Sequence, residues 1–199
     1  ENKREGSGFD PVTAADRAVE AAIRAGLGRA FPDSPIQGEE AGLTPGTSDW
    51  SWIIDPIDGT RAFISGVPAW GVLLGLLHAG HPVAGIMRQP YLDETFTGSP
   101  SGAFLRRAGT ATPLRSSGRT DLAEAILYCT HPSMFATEPD RAGFARVSAA
   151  ARMTRFGGDC YSYCLLAMGF VDLVIEGELQ PYDILPLVPI VEAAGGRVT

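Results

Sequence analysis

Two carboxylates three residues apart carry the strongest chemical signal in the chain. Trp52-Ile53-Ile54-Asp55-Pro56-Ile57-Asp58-Gly59-Thr60 runs from an apolar stretch into a turn that Pro56 stiffens. Such a turn can aim both acids into one pocket. Two anions placed together are costly unless a cation lies between them, and hard oxygen donors of this kind suit Mg2+ or Mn2+. Gly59 lets the backbone approach a ligand closely, and the N–H groups of Gly59 and Thr60 can meet a phosphate if a helix begins there. The alternative is an ordinary Asp-rich turn that caps a helix at Thr60. Gly38-Glu39-Glu40 adds a second acidic pair in a loop, and Asp183 opens a helix after Leu179-Gln180-Pro181-Tyr182. Each alone is compatible with a helix cap or a solvated charge. Gathered at element ends, where functional side chains concentrate, they point to a metal site.

The rest of the composition fits that reading. The chain has 199 residues, with 16 Lys+Arg against 23 Asp+Glu and a formal charge of −7. An acidic chain with scattered arginines is a poor polyanion binder, so nucleic acid is not an expected partner. If the substrate carries phosphate, metal ions have to supply the positive charge. No apolar run approaches the ~18 residues of a membrane span, so no membrane role is expected, and three cysteines that suggest no disulfide framework make a cytoplasmic placement the expectation. Cys129, Cys160 and Cys164 match no zinc spacing and read as buried apolar groups. His78, His81 and His131 form no ligand pair, Trp50, Trp52 and Trp70 read as core or interface aromatics, and Arg61 and Arg88 read as solvated cations, with approach to an anionic substrate as the alternative.

These acids have to be positioned by a mixed set of elements, and the pattern is α+β. Residues 1–10 read as a loop. From Thr13 a helix is predicted, with Ala15, Ala18, Val19, Ala22, Ile23 and Leu27 on its apolar stripe and Arg17, Glu20 and Arg24 turned outward. Thr13 and Asp16 have the spacing of a capping box with Asp in the usual Glu place. Strands are predicted at 50–54, at 72–78 (apolar enough to be buried on both faces), at 83–87 through a Gly-His-Pro turn, and at 94–98, 102–106, 125–130 and 171–176. Helices are predicted over 140–151, 159–168 and from Asp183 to Ala194, the last bent at Pro189. A Thr/Ser/Arg/Gly-rich stretch near 110–122 divides an N-terminal lobe, 1–115, from a C-terminal lobe, 116–199, within one catalytic unit.

Asp10-Pro11-Val12-Thr13-Ala14-Ala15-Asp16, Gly38-Glu39-Glu40, the 52–60 stretch, and Tyr182-Asp183 followed by Gly195-Gly196 together resemble the inositol-monophosphatase family. The resemblance spans about residues 10–199. It implies magnesium-dependent, lithium-sensitive phosphatases built as αβαβα layers and acting on a small phosphorylated metabolite, with a homodimer for the full-length form. Carried onto this chain, it implies that Glu39, Asp55 and the Ile57 carbonyl hold a first ion. Asp55, Asp58 and Asp183 would hold a second, and Glu39 would face a third, weaker one, with Mn2+ as a possible substitute. Thr60 and Asp16 would form a relay that orients and helps deprotonate the attacking water, and the Gly59 and Thr60 N–H groups would hold the phosphate. Against the family pattern both ends look shortened, with a helix expected before residue 1 and a strand and helix after 199. Lys3 corresponds to a lysine that often precedes the first motif.

Residues 156–164 and 177–183 resemble the histidinol-phosphate phosphatase branch, which places the activity in histidine biosynthesis. Histidinol phosphate carries an amine and an imidazole, so its pocket should offer carboxylates. Asp159 and Glu176 are the candidates, with Gln180 adding a hydrogen bond. A helix N-cap competes for Asp159 and a surface strand-end charge for Glu176. Inositol 1-phosphate and fructose 1,6-bisphosphate offer hydroxyls that the same acids accept, so they stay as alternatives. So does a metal-binding fragment that has lost turnover. Haloacid-dehalogenase phosphatases also place an Asp-rich turn after a strand, but the Asp55–Asp58 spacing is one residue too long for them and Glu39 would have no role there.

Overall fold

The computed structural model describes residues 13–199. The loop expected over 1–10, Lys3 and Asp10-Pro11-Val12 of the first motif lie outside the described residues.

Helix α1 spans Ala14–Ala30 and begins as its sequence demands, with the Thr13 hydroxyl accepting the Ala15 N–H and Asp16 accepting the Thr13 N–H. Its orientation corrects the predicted stripe. Ala18 and Ala22 are exposed, whereas Asp16 and Glu20 are fully buried and the Arg24 side chain is nearly so. A polar stripe at i, i+4 and i+8 faces inward because it meets hydrogen-bonding groups there rather than a core.

An eight-stranded sheet follows in the order β2-β1-β3-β4-β5-β6-β7-β8. Its strands are β1 (Ile36–Gly38), β2 (Gly42–Thr44), β3 (Trp50–Asp58), β4 (Gly71–His78), β5 (His81–Gln89), β6 (Glu94–Ser99), β7 (Gly102–Arg107) and β8 (Thr110–Pro113). β1 runs parallel to β3, and every other pairing is antiparallel. β1 and β2 bracket residues 39–41, so the predicted acidic loop is the tip of a short hairpin. β8 occupies the start of the stretch read as a linker. β4 is apolar up to its last residue, the exposed His78, yet only Gly71, Leu73, Gly75 and Leu77 are buried, with Val72, Leu74 and Leu76 partly exposed on the other face.

The buried face of β4–β6 carries a row of glycines in register, Gly75 opposite Gly85 and Gly85 opposite Gly98. The chain from Pro186 to Ile190 lies directly on that row: a Cβ at Gly85 would sit 1.8 Å from the Pro186 carbonyl oxygen, and one at Gly98 would sit 2.3 Å from Ile190 Cα. This stretch joins two short helices, α5 (Pro181–Ile184) and α6 (Val188–Ala193). The single bent helix expected after Asp183 is therefore two, and Pro189 lies in the first turn of α6, where its missing N–H costs nothing. Asp183 lies inside α5 rather than before it.

The second sheet has three parallel strands in the order β10-β9-β11, formed by β9 (Ile126–Cys129), β10 (Met153–Phe156) and β11 (Leu173–Val174). β10 was not foreseen. Helix α3 (Glu138–Ala150) packs Phe144 against Leu127, Cys129 and Phe135. Helix α4 (Asp159–Ala167) buries Cys160, Tyr163 and Cys164 with Leu73, Met87, Phe96 and Ile190 of the larger sheet and α6. The order of layers is α1, large sheet, α4–α6, small sheet, α3: the α+β sandwich expected. All three cysteines are buried and unpaired.

Candidate metal centre

In a regular strand, residues three apart point to opposite faces, so Asp55 and Asp58 of β3 could not share a pocket. The ladder breaks between them. Asp55 pairs with Leu73 but Asp58 with Gly71, so three steps of β3 oppose two of β4. This bulge absorbs the odd residue and turns both carboxylates to one side. The Asp55 Oδ1 accepts the Ile57 N–H at 3.0 Å, closing the turn around Pro56. Asp58 Oδ2 accepts the Cys160 N–H at 2.7 Å, tying β3 to the first turn of α4.

The α5 segment, seated on the glycine row, brings in Asp183. Ligand atoms of Asp55, Asp58 and Asp183 lie within 4.8 Å of one another. Asp183 Oδ2 also accepts the Gln180 N–H at 2.7 Å, which fixes its rotamer. Glu39 lines the same cavity, of about 310 Å³, together with Ile57, Gly59, Thr60, Asp159 and Gln180. The Glu39 N–H donates to the Ile54 carbonyl at 3.2 Å. Thr60 opens helix α2 (Thr60–Ser65), with Gly59 as its cap at φ 80°, a conformation that favours glycine. The Thr60 hydroxyl donates to the Ile57 carbonyl at 3.0 Å and lies 3.4 Å from Asp16 Oδ1.

Burial pushes the carboxyls of Asp55 and Asp58 well above the usual range, with mutual repulsion adding to it, from Asp58, Glu39 and Asp183 on Asp55 and from Asp183, Asp159 and Glu176 on Asp58. Cys160 pulls Asp58 the other way. Asp183 is raised to about 6, chiefly by burial. A cluster of oxygen donors that resists ionisation on its own is a site suited to a hard divalent cation. The residues fit such an ion.

Beside the cluster lie the predicted substrate residues. Asp159 opens α4 at φ 43°, a left-handed conformation rare outside glycine, and its Cβ would lie 3.0 Å from a Cβ at Gly59. Burial and Glu176 raise its carboxyl to about 6 against the opposing pull of Arg61. Glu176 is not the surface charge its position at a strand end suggested. It accepts the Thr130 N–H at 3.1 Å, the Thr130 hydroxyl at 2.5 Å and the Tyr163 hydroxyl at 3.2 Å. Burial raises its carboxyl, and those hydrogen bonds oppose the rise. Gln180 is exposed at the cavity rim. Arg61, for which approach to an anionic substrate was the alternative expectation, also lines the cavity. His131, Ser133 and Tyr182 line it too without having been expected there, and the one signal among them was the adjacency of Tyr182 to Asp183.

The inositol monophosphatase family model matches residues 1–199. The chain belongs to that family. A chloroplastic bifunctional phosphatase from Arabidopsis thaliana, IMPL2, is 42% identical over 96% of this chain, which spans 55% of that protein's length. A histidinol-phosphatase from Mycobacterium tuberculosis is 38% identical over 95% of this chain and 74% of its own. Among solved structures, an inositol monophosphatase from Zymomonas mobilis superposes with a TM-score of 0.84 at 37% identity, covering 96% of this chain and 73% of that one. Enzymes of this family depend on metal ions, in keeping with the acidic cluster. Among the described residues no helix is long and apolar enough to cross a membrane.

Proposed function

We propose that this chain hydrolyses a phosphate monoester with divalent metal, and that its substrate is histidinol phosphate. The observation that carries the reaction is the convergence of Asp55, Asp58 and Asp183 beside Glu39 and the Gly59-Thr60 turn in one cavity. Glu39, Asp55 and the Ile57 carbonyl would hold one Mg2+ and Asp55, Asp58 and Asp183 another, with Glu39 also facing a third. The ions would supply the charge neutralisation and water activation that a phosphate dianion requires. Thr60 orients the attacking water, and its hydroxyl passes a proton toward Asp16. The N–H groups of Gly59 and Thr60 hold the phosphate oxygens. The ester P–O bond breaks as the water oxygen bonds to phosphorus, and the alkoxide leaves on the opposite side and takes a proton from solvent water to become the alcohol. Asp159 and Glu176 favour a cationic alcohol, with Gln180 at the rim, and the histidinol-phosphatase relative supports that assignment.

Inositol 1-phosphate is the second reading. Glu176, in the cavity that adjoins the metal cluster, accepts hydroxyl donors from Thr130 and Tyr163, and a carboxylate that accepts hydroxyls suits a polyol as well as an amine. Side-by-side phosphate release from histidinol phosphate, inositol 1-phosphate and fructose 1,6-bisphosphate, with Mg2+ and with chelator, tests both. The proposal expects the highest kcat/KM on histidinol phosphate, loss in chelator and inhibition by lithium. A metal-binding chain inactive on all three would instead be a non-catalytic member.

A further inference from the structure

We propose that Glu20, clamped by Arg24, is a positioning residue that sets the Glu39 carboxylate for cation binding. The proposal rests on the reading of Glu39 as a metal ligand. Glu20 is 1% exposed and spans from α1 to the tip of the β1–β2 hairpin. Its Oε2 accepts the Glu40 N–H at 2.7 Å and its Oε1 accepts the Ala41 N–H at 3.1 Å. On the other side, the Glu39 N–H is tied to the Ile54 carbonyl of β3. Glu39 therefore sits between two anchors, one of them a buried side-chain carboxylate with no contact to the metal cluster.

The glycine of Gly38-Glu39-Glu40 follows from the same contact. A Cβ at Gly38 would lie 2.2 Å from Glu20 Oε1, so the hairpin reaches the carboxylate only if residue 38 has no side chain. Arg24 completes the clamp. Its Nε donates to Glu20 Oε1 at 2.7 Å, its Nη1 donates to the Ile36 carbonyl and the Thr44 hydroxyl, and its Nη2 donates to the Gly42 carbonyl. The guanidinium thus grips both strands of the hairpin while neutralising the buried acid. An ion pair so fully hydrogen-bonded adds little net stability over an apolar replacement. It fixes geometry, and one turn earlier on the same helix face Asp16 reaches Thr60. One stripe of α1 therefore addresses both the hairpin bearing Glu39 and the hydroxyl beside the cluster.

Groups that orient metal ligands change metal affinity by about tenfold or more when removed. The test is direct Mn2+ binding, read by electron paramagnetic resonance of the free ion, on the full chain and on Glu20→Gln, Glu20→Ala and Glu39→Gln. Glu20→Ala is expected to raise the Mn2+ dissociation constant about tenfold. Glu20→Gln, which keeps the shape and one acceptor, should raise it less. At saturating Mn2+ the substrate KM should stay within about twofold of the parent. If Glu20→Ala fails to fold, Glu20→Gln carries the comparison. Glu20 variants that lose thermal stability but bind Mn2+ within about twofold of the parent would overturn the proposal, leaving Glu20 a packing residue. Glu39→Gln with unaltered Mn2+ affinity would instead overturn the reading of Glu39 as a ligand. The two failures are therefore separable.

Discussion

At the scale of single residues, the centre opposes stability to chemistry. Asp58 is held near Asp55 and Asp183 at a cost in repulsion and lost hydration that Cys160 opposes in part and a bound cation would offset further. Asp58→Asn removes the charge but keeps an oxygen able to accept the Cys160 N–H. Turnover is expected to fall below about a tenth of the parent, while the thermal midpoint in chelator stays level or rises. Activity assays beside scanning fluorimetry measure both, and retained turnover would remove Asp58 from the metal site. Asp159 offers a selectivity test. Asn tolerates its left-handed backbone, so Asp159→Asn alters charge without strain. A hydrogen bond to a charged group contributes about 1.5 kcal/mol or more, which is roughly tenfold. The ratio of kcat/KM on histidinol phosphate to that on inositol 1-phosphate should fall about tenfold, and an unchanged ratio would place the amine elsewhere. The clustering of Asp55, Asp58 and Asp183 was legible in the sequence because carboxylates at element ends have few apolar roles. Glu20 was not, since a charged residue between Val19 and Ala21 in a helical pattern reads as solvent-facing until its hydrogen-bonding partners are known. The signal it did leave was the 16, 20, 24 spacing.

At the scale of elements, the position of Asp183 depends on a backbone-to-backbone contact. The row Gly75, Gly85, Gly98 lets the Pro186–Ile190 chain lie on β4–β6 without intervening side chains. Gly85→Ala would drive a methyl into the Pro186 carbonyl. Overpacking of this kind costs about 1–3 kcal/mol, and α5 should move with the displaced segment. A lower thermal midpoint is expected together with weaker Mg2+ activation. Gly28→Ala, in α1 with nothing within 4 Å of the added Cβ, should instead gain up to about 1 kcal/mol. Equal effects of the two changes on Mg2+ activation would disconnect the glycine row from the centre. The same contact explains why the fold was only partly legible. Strand existence followed from apolar runs, and α1 followed from its cap. The split between α5 and α6 did not, because two prolines near a helical pattern read as a bend until the sheet beneath shows which turn each begins. β8 and β10 were hidden because they are short, largely exposed strands held by the neighbours they pair with rather than by a buried apolar face. The β3 bulge was hidden too, though the odd spacing of Asp55 and Asp58 required one for both to face the same way.

At the scale of the whole molecule, the formal charge of −7 is concentrated. Glu39, Asp55, Asp58, Asp159, Glu178 and Asp183 line one cavity, and among the described residues that line it Arg61 is the one arginine or lysine. That concentration makes stability depend on pH in a direction opposite to ordinary salt-bridged acids. Asp183 has a folded value of about 6 against 3.8 for the unfolded chain, and Asp55 and Asp58 move the same way. Below about pH 4 both states hold these protons and the groups favour neither. For Asp183, between about pH 4 and 6 the unfolded chain has released a proton that the folded chain retains, so the folded state is penalised progressively as pH rises and fully above 6, and Asp55 and Asp58 add to the penalty in the same direction. Acids shifted downward, such as Asp172, act in the reverse sense, which makes the bare midpoint an ambiguous readout. The metal-dependent difference is not ambiguous, because a cation binds the ionised cluster of the folded state and competes with those same protons. The rise in thermal midpoint between chelator and saturating Mg2+ should therefore be larger at pH 7.5 than at pH 5, and should shrink at both in Asp58→Asn. An equal rise at the two pH values would mean that the ion binds without displacing protons, and the raised carboxyls would then lie outside its coordination.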